Sequence, residues 1–412
     1  MMNFTKEETI KLLGRIEDLA LISEQEDGLT RLFLTKEHRL AAEKVAGWMT
    51  EAGMDSHIDA VGNVVGRYEG SQPGLPCLML GSHLDSVRNA GKFDGPLGVL
   101  APLACIEKIH SSGHQLPFAI EILGFGDEEG VRFPSVLMGS RAVAGTFNYD
   151  VLELTDKEEI SVGQAMRDFG LDLSKIGTAA YKSDDVLAYV EFHIEQGPVL
   201  ESEELPVGVV SAINGQNRFV VEILGIPGHA GTVPMNLRRD ALSAAAECIL
   251  VIEKICNDDT ELVGTVGSIT AKPGIGNAIA GNVEFNIDIR GPDDAKRLSA
   301  IDEIKYLMGD VCKRRDLLID MKMTFESDSC PCAPFLMDQL ESALISHDLP
   351  VRRLPSGAGH DGMAMIDLTN IAMLFLRCEK GISHNPAESV TLEDVRIGVS
   401  VLKEFIENFK PA

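Results

Sequence analysis

His83 and Asp85 stand two residues apart in Gly81-Ser-His-Leu-Asp85, and Asp94 follows in Gly91-Lys-Phe-Asp-Gly95. Imidazole and carboxylate are the donors a borderline divalent metal prefers. An ordinary polar turn has the same composition, so this stretch alone leaves both readings open. Pro76-Cys-Leu-Met-Leu80 before it reads as a buried strand, and the apolar run from Leu97 to Ile109 reads as a helix. His83 and Asp85 then lie just past a strand's C-terminal end and Asp94 at the start of a helix, where α/β sheets place their chemistry. If the strand geometry persists, His83 and Asp85 point the same way. Asp85 would hold the imidazole of His83 while that ring binds a metal.

Glu128-Glu129, His193 and His384 each follow an apolar, strand-like segment, as His83 does. Strand ends of one parallel sheet share an edge, so residues far apart in sequence would converge there. Two histidines with a bridging Asp, and one His with a Glu and the same Asp, make two metal sites with room for a shared water. Two such ions polarise a carbonyl and acidify that water. Strand ends collect polar residues in any case, but four of them with these residue types favour the metal reading.

The elements that must position these residues divide the chain. Residues 6–24 and 36–53 read as helices, 55–69, 76–81, 118–124 and 186–192 as strands, and 148–174 as a polar surface excursion. This alternation predicts an α/β fold, a mostly parallel, doubly wound sheet. Strands at 218–224, 263–271, 282–290 and 317–325, with helices at 236–256 and 293–314, give the β-α-β-β-α-β order of a ferredoxin-like unit. A helix near 335–347, a segment at 371–377 and a closing helix at 391–409 return to the first domain. The expected domains are 1–212 with 330–412, and an inserted 213–329.

At 412 residues the chain is too long for one core. A formal charge of −26 argues against nucleic acid or an anionic membrane as partner. No apolar run is long enough to span a bilayer, and the first residues lack a signal-peptide core. Eight scattered cysteines, with Cys330-Pro-Cys332 the closest pair and no zinc-finger spacing, point to a reduced, cytoplasmic protein. Gly357-Ala-Gly-His-Asp-Gly362 matches a dinucleotide-binding pattern, but no apolar strand precedes it.

Several stretches resemble, in order, the amidase/hydantoinase/carbamoylase branch of the M20 metallopeptidase-like hydrolases. They are Gly81-Ser-His-Leu-Asp85, Gly91-Lys-Phe-Asp94, Asp127-Glu-Glu-Gly130, His193-Ile-Glu-Gln-Gly197, Gly228-His-Ala-Gly231, Ser356-Gly-Ala-Gly-His-Asp361 and Gly381-Ile-Ser-His-Asn-Pro-Ala-Glu388. The branch contains N-carbamoyl-L-amino-acid hydrolase, allantoate amidohydrolase and β-ureidopropionase. The resemblance implies two divalent ions per subunit (zinc, manganese, cobalt or nickel), one held by His83, Asp94 and His193 and the other by Asp94, Glu129 and His384. Glu128 would be the general base, with Asp85 orienting His83. The inserted domain would be a lid and the contact of a homodimer, and His229 would reach the partner's site to stabilise the oxyanion. Arg290 would grip the carboxylate of a small ureido substrate, with Asn277, Arg218, Gln196 and His360 as further contacts. The implied reaction turns an N-carbamoyl-L-amino acid into amino acid, carbon dioxide and ammonia, with allantoate as the alternative substrate. A dipeptidase or aminoacylase, or a non-catalytic metal-dependent binding protein, is a weaker reading.

Overall fold

A strand buried on both faces must be apolar along its whole length, and Cys77–His83 is buried at every position. Ala119–Phe125, Val186–Ile194 and Ile371–Leu376 are similarly apolar and buried. In a computed structural model, which describes residues 3–412, these four strands lie side by side and parallel. Their order is 119–125, 77–83, 186–194, 371–376, so their C-terminal ends share one edge.

The flanks are antiparallel, which makes the sheet mixed where a mostly parallel one was expected. Val64–Tyr68 pairs with 119–125, Asp55–Ile58 with Val64–Tyr68, and Val207–Ile213 with 371–376. The expected single segment 55–69 is therefore a hairpin, and a link as short as 59–63 can only join antiparallel strands. Residues 148–174 also differ from the expected surface excursion. Val162, Ala165, Met166 and Phe169 pack with Phe33, Leu34, Val61 and Phe133 into an apolar cluster of their own. Their apolar positions are spread over short helical turns, too broken for a periodic signal.

Two compact units account for the chain. One takes residues up to Ser211, Cys332–Leu354 and Ala358–Ala412; the other takes Ala212–Pro331 and Pro355–Gly357. In the second, strands Ile269–Lys272, Asn282–Gly291, Gly215–Leu224 and Leu318–Ser327 lie in that order, all antiparallel. One face of Gly215–Leu224 and Asn282–Gly291 is buried against helices Ala241–Asp258 and Asp294–Arg314, with Phe219, Val221, Phe285 and Ile287 in the core. The strand expected at 263–271 is two, Val263–Thr265 and Ile269–Lys272. The helix expected from 236 starts at Ala241, because Asp240 caps it by accepting from the amides of Leu242 and Ser243.

In the first unit, helix Pro96–Ser112 packs on strands Cys77–His83 and Val186–Ile194. Gly98 permits the approach: a Cβ there would lie 2.3 Å from the carbonyl oxygen of Phe192 and 2.6 Å from Cβ of Ser82. Gly98→Ala should cost about 1–3 kcal/mol through overpacking. At Gly14, a helical position with open space around it, Ala should instead stabilise by roughly 0.5–1 kcal/mol. Urea denaturation of the two variants checks the contrast, and equal effects would refute the packing account.

Candidate metal centre

Each of the four parallel strands delivers chemistry to the common edge. His83 ends its strand, and His193 is next to last in Val186–Ile194. Glu128 and Glu129 follow Ala119–Phe125, and His384 follows Ile371–Leu376. Leu80 pairs with Val190, so three residues further on His83 and His193 stand abreast, ring centroids 5.9 Å apart. From 77–83 the sheet is built first to one side and then to the other, and open α/β sheets bind ligands in the crevice at that switch.

Asp94 rises from the turn before helix Pro96–Ser112. Gly95 after it has φ +82°, and a Cβ there would lie 2.5 Å from the His83 ring, so the turn requires glycine. Asp94 Oδ1 lies 3.4 Å from Nε2 of His83 and 3.2 Å from Nε2 of His193. Its Oδ2 lies 3.4 Å from Nε2 of His384, which is 3.5 Å from Oε2 of Glu129. Two donor triads result, His83–Asp94–His193 and Asp94–Glu129–His384, with the donor atoms of each within 4.8 Å of one another.

The donor chemistry fits divalent ions. Nδ1 of His83 is 2.9 Å from the carbonyl of Asp85, and Nδ1 of His193 is 2.8 Å from that of Ile194. A carbonyl only accepts, so each Nδ1 carries a proton and Nε2 is the atom turned towards Asp94; in the neutral ring it offers a lone pair there. Nε2 of His193 is buried with no hydrogen-bond partner. A lone pair and a carboxylate oxygen this close need a proton or a cation between them. The surplus of acids favours the cation. Burial pushes Glu129 up to about 8. Burial, reinforced by neighbouring acids, also lifts Glu128 and Asp361 well above the carboxylate range. Asp85 and Glu191 are raised by burial too. Positive ions would relieve all of these groups at once.

Three of the expected site residues have surroundings that the sequence did not specify. The Asp85 carboxylate does not hold the His83 ring: its Oδ1 is 3.9 Å from Nδ1, and the main-chain carbonyl makes that bond. The strand ends at His83, so Asp85 no longer points alongside it. Its two carboxylate oxygens instead accept from the amides of Glu128 and Glu129, each at 3.2 Å. His360 is buried, its ring 4.5 Å from that of His193 and 5.9 Å from that of Phe375, so it packs against a candidate ligand. Gln196 donates to Oδ2 of Asp94 at 2.7 Å and to Ser383 at 2.9 Å, while its own Oε1 has no partner.

The two glutamates are held differently. Glu129 is pinned, with Oε1 accepting from the Val87 amide at 3.2 Å and Oε2 facing His384. Oε2 of Glu128 stands 3.9 Å from Nε2 of His83. Asp127, Gln196 and His384 all adopt positive φ, the kind of backbone strain that gathers at functional sites.

Sequence reasoning passed over two residues. The Ser383 hydroxyl donates to Oδ2 of Asp94 at 3.0 Å. Glu388 Oε1 accepts from the amides of Phe93 and Asp94 at 2.8 and 3.1 Å, clamping the turn that carries Asp94. The available signal was their place in the stretch from Gly381 to Glu388.

Arg218, Arg290, His229 and Asn277 belong to the second unit. Both arginines converge on Asp288. His229 is exposed on a two-residue strand beside Asn277, whose carbonyl accepts from Ala230 at 2.9 Å.

Residues 79–408 match the sequence profile of peptidase family M20/M25/M40. The chain belongs to this family. It is 40% identical to N-carbamoyl-L-amino-acid amidohydrolase of Pseudomonas sp. (strain NS671), over 96% of this chain and 97% of that one. It is 38% identical to allantoate deiminase of Arabidopsis thaliana, over 96% of this chain and 81% of the relative. An amidase of the hydantoinase/carbamoylase family from Burkholderia multivorans superposes with a TM-score of 0.91 at 30% identity, covering 97% of each chain. The M20 chain is thus a hydrolase, of the branch acting on C–N bonds other than peptide bonds. M20 enzymes generally use divalent metals, and the clustered donors are the candidate ligands. Among the described residues no helix is long and apolar enough to cross a membrane.

Glu388→Ala should weaken metal binding by about 10–100-fold, the usual effect of losing a group that supports a ligand. Glu388→Gln keeps an acceptor for the two amides and should retain most of the affinity. Competition against a chromophoric chelator measures both, and equal affinities for the two variants would count against the clamp.

Proposed function

We propose that this protein is a two-metal amidohydrolase that cleaves the ureido C–N bond of an N-carbamoyl-L-amino acid, yielding amino acid, carbon dioxide and ammonia. The observation that carries the proposal is Asp94, whose two oxygens face two different donor sets. His83, Asp94 and His193 would hold one ion, and Asp94, Glu129 and His384 the other. Divalent ions bound there polarise the substrate carbonyl and lower the pKa of water. Glu128 takes the proton from the attacking water and returns it to the leaving nitrogen. Its carboxylate suits that role because it is not tied down as that of Glu129 is.

The inserted unit, read as a ferredoxin-like lid, supplies the substrate grip. Arg290 binds the carboxylate through its planar fork, with Asn277 and Arg218 as further contacts and Gln196 offering its unpaired Oε1. His229 stabilises the oxyanion in the other subunit of a homodimer. Its Nδ1 accepts from the Gly231 amide at 3.0 Å, which leaves the proton on Nε2 as the donor such a role needs. Exposed apolar side chains of this unit, among them Met235, Leu237, Leu250 and Tyr306, support its use as a subunit contact. Eight cysteines, all of them buried, suit a cytoplasmic enzyme.

Allantoate is the second substrate reading, favoured by the likeness to the Arabidopsis allantoate deiminase. Ammonia release from N-carbamoyl-L-amino acids and from allantoate, by metal-stripped protein given Mn, Zn, Co or Ni, tests both readings. We expect no turnover without metal and restoration with it. Full activity in protein shown by elemental analysis to be metal-free would overturn the two-metal reading, and inertness towards the whole panel would overturn the ureido one.

The two glutamates separate chemistry from binding. Glu128→Gln should keep its metal while kcat falls by about 10²–10⁴-fold, the range for a lost general acid–base. Glu129→Gln should lose metal. The opposite pattern in metal content would reverse the assignments.

A further inference from the structure

A cavity of about 680 Å³ lies within the second unit, and its charged lining residues are Arg218, Asp288 and Arg290. Strand alternation puts Arg218, Asp288 and Arg290 on the sheet face opposite the one buried under the helices. Asp288 Oδ1 accepts from Nε of Arg290 at 3.0 Å. Its Oδ2 accepts from Nη2 of Arg290 at 3.0 Å, Nε of Arg218 at 3.2 Å and Nε2 of Gln216 at 2.5 Å. Arg290 Nη1 donates to the carbonyl of Gly357 at 2.7 Å. The Arg218 guanidinium stacks 5.3 Å from the centre of the Phe325 ring.

Two guanidinium groups therefore share one carboxylate, and the cavity carries a single surplus positive charge. Burial alone would raise the Asp288 pKa, but hydrogen bonds from Arg290, Gln216 and Arg218 hold it below the ordinary aspartate range, so the aspartate is ionised at neutral pH. Asp288 occupies the Nε–Nη2 edge of Arg290 and the Gly357 carbonyl takes one hydrogen of Nη1, so one remaining hydrogen on each Nη is left to meet a ligand.

We infer that Asp288 is the charge-selecting residue of this pocket: by neutralising one of the two arginines it admits a substrate with one carboxylate and disfavours one whose side chain carries a second. This rests on Arg290 being the carboxylate grip. Without Asp288, Arg218 becomes an unpaired cation placed to receive that second carboxylate. Asp288 acts through the arginines and is a positioning residue, with no part in bond cleavage.

N-carbamoyl-L-glutamine and N-carbamoyl-L-glutamate match in length and differ by one charge, so their kcat/KM ratio reads the selection directly. The wild-type protein should prefer the glutamine derivative. Asp288→Asn, nearly the same shape, should shift the ratio towards the glutamate derivative by about tenfold or more, mainly through KM. Asp288→Ser serves if the Asn variant fails to fold, and adding Arg218→Met should restore the original preference. Calorimetric binding of glutarate and its monoamide to the same proteins gives a readout independent of turnover. A shift in binding without any hydrolysis would sink the ureido reading and keep the charge selection. Hydrolysis with an unchanged ratio in folded variants, or no shift in either measurement, would overturn the inference.

Discussion

The site depends on a single carboxylate with both oxygens committed. Asp94 Oδ1 answers to His83 and His193, and Oδ2 to His384. A displacement of that side chain would open both triads together, so it is held from several directions. Glu388 clamps its main chain, Gln196 and Ser383 hold Oδ2, and Gly95 lets the turn pass under the His83 ring. Burying so many acids around it is unfavourable for the bare protein. A cation held by these donors would relieve that cost and so favour the folded state of this region.

The two units face opposite electrostatic problems. The metal centre has more carboxylates than its own cations can neutralise. The cavity of the second unit has more guanidinium than carboxylate. Each imbalance is what a ligand of opposite charge would correct, and in each a single aspartate, Asp94 or Asp288, sets the geometry.

Which residues would gather was legible in the sequence, because each follows an apolar run and the ends of parallel strands share an edge. His83, Glu129, His193 and His384 needed only that rule. Contacts between residues far apart in sequence leave no local pattern, and these were missed: Ser383 on Asp94, Glu388 on the Phe93 and Asp94 amides, and the Asp85 carboxylate on the two glutamate amides. The packing of His360 against the His193 ring left no local pattern either. The antiparallel flanks went unread because alternation of strands and helices does not report strand direction. The cluster around Phe169 went unread because its apolar residues fall on turns too short to show a period.

The clamp from Glu388 to Phe93 and Asp94 spans 295 and 294 residues, and it bears on how the enzyme is born. Synthesis proceeds from the N-terminus at roughly 5–20 residues per second. His83, Asp94, Glu129 and His193 leave the ribosome long before His384 and Glu388. During that interval the acids around Asp94 lack the chain segment that closes over them. The second unit, whose core residues run from Phe219 to Leu317, has its whole core translated while the centre still waits. The site therefore stays open until His384 and Glu388 have been made, since a polypeptide released before them would have neither the last donor nor the clamp.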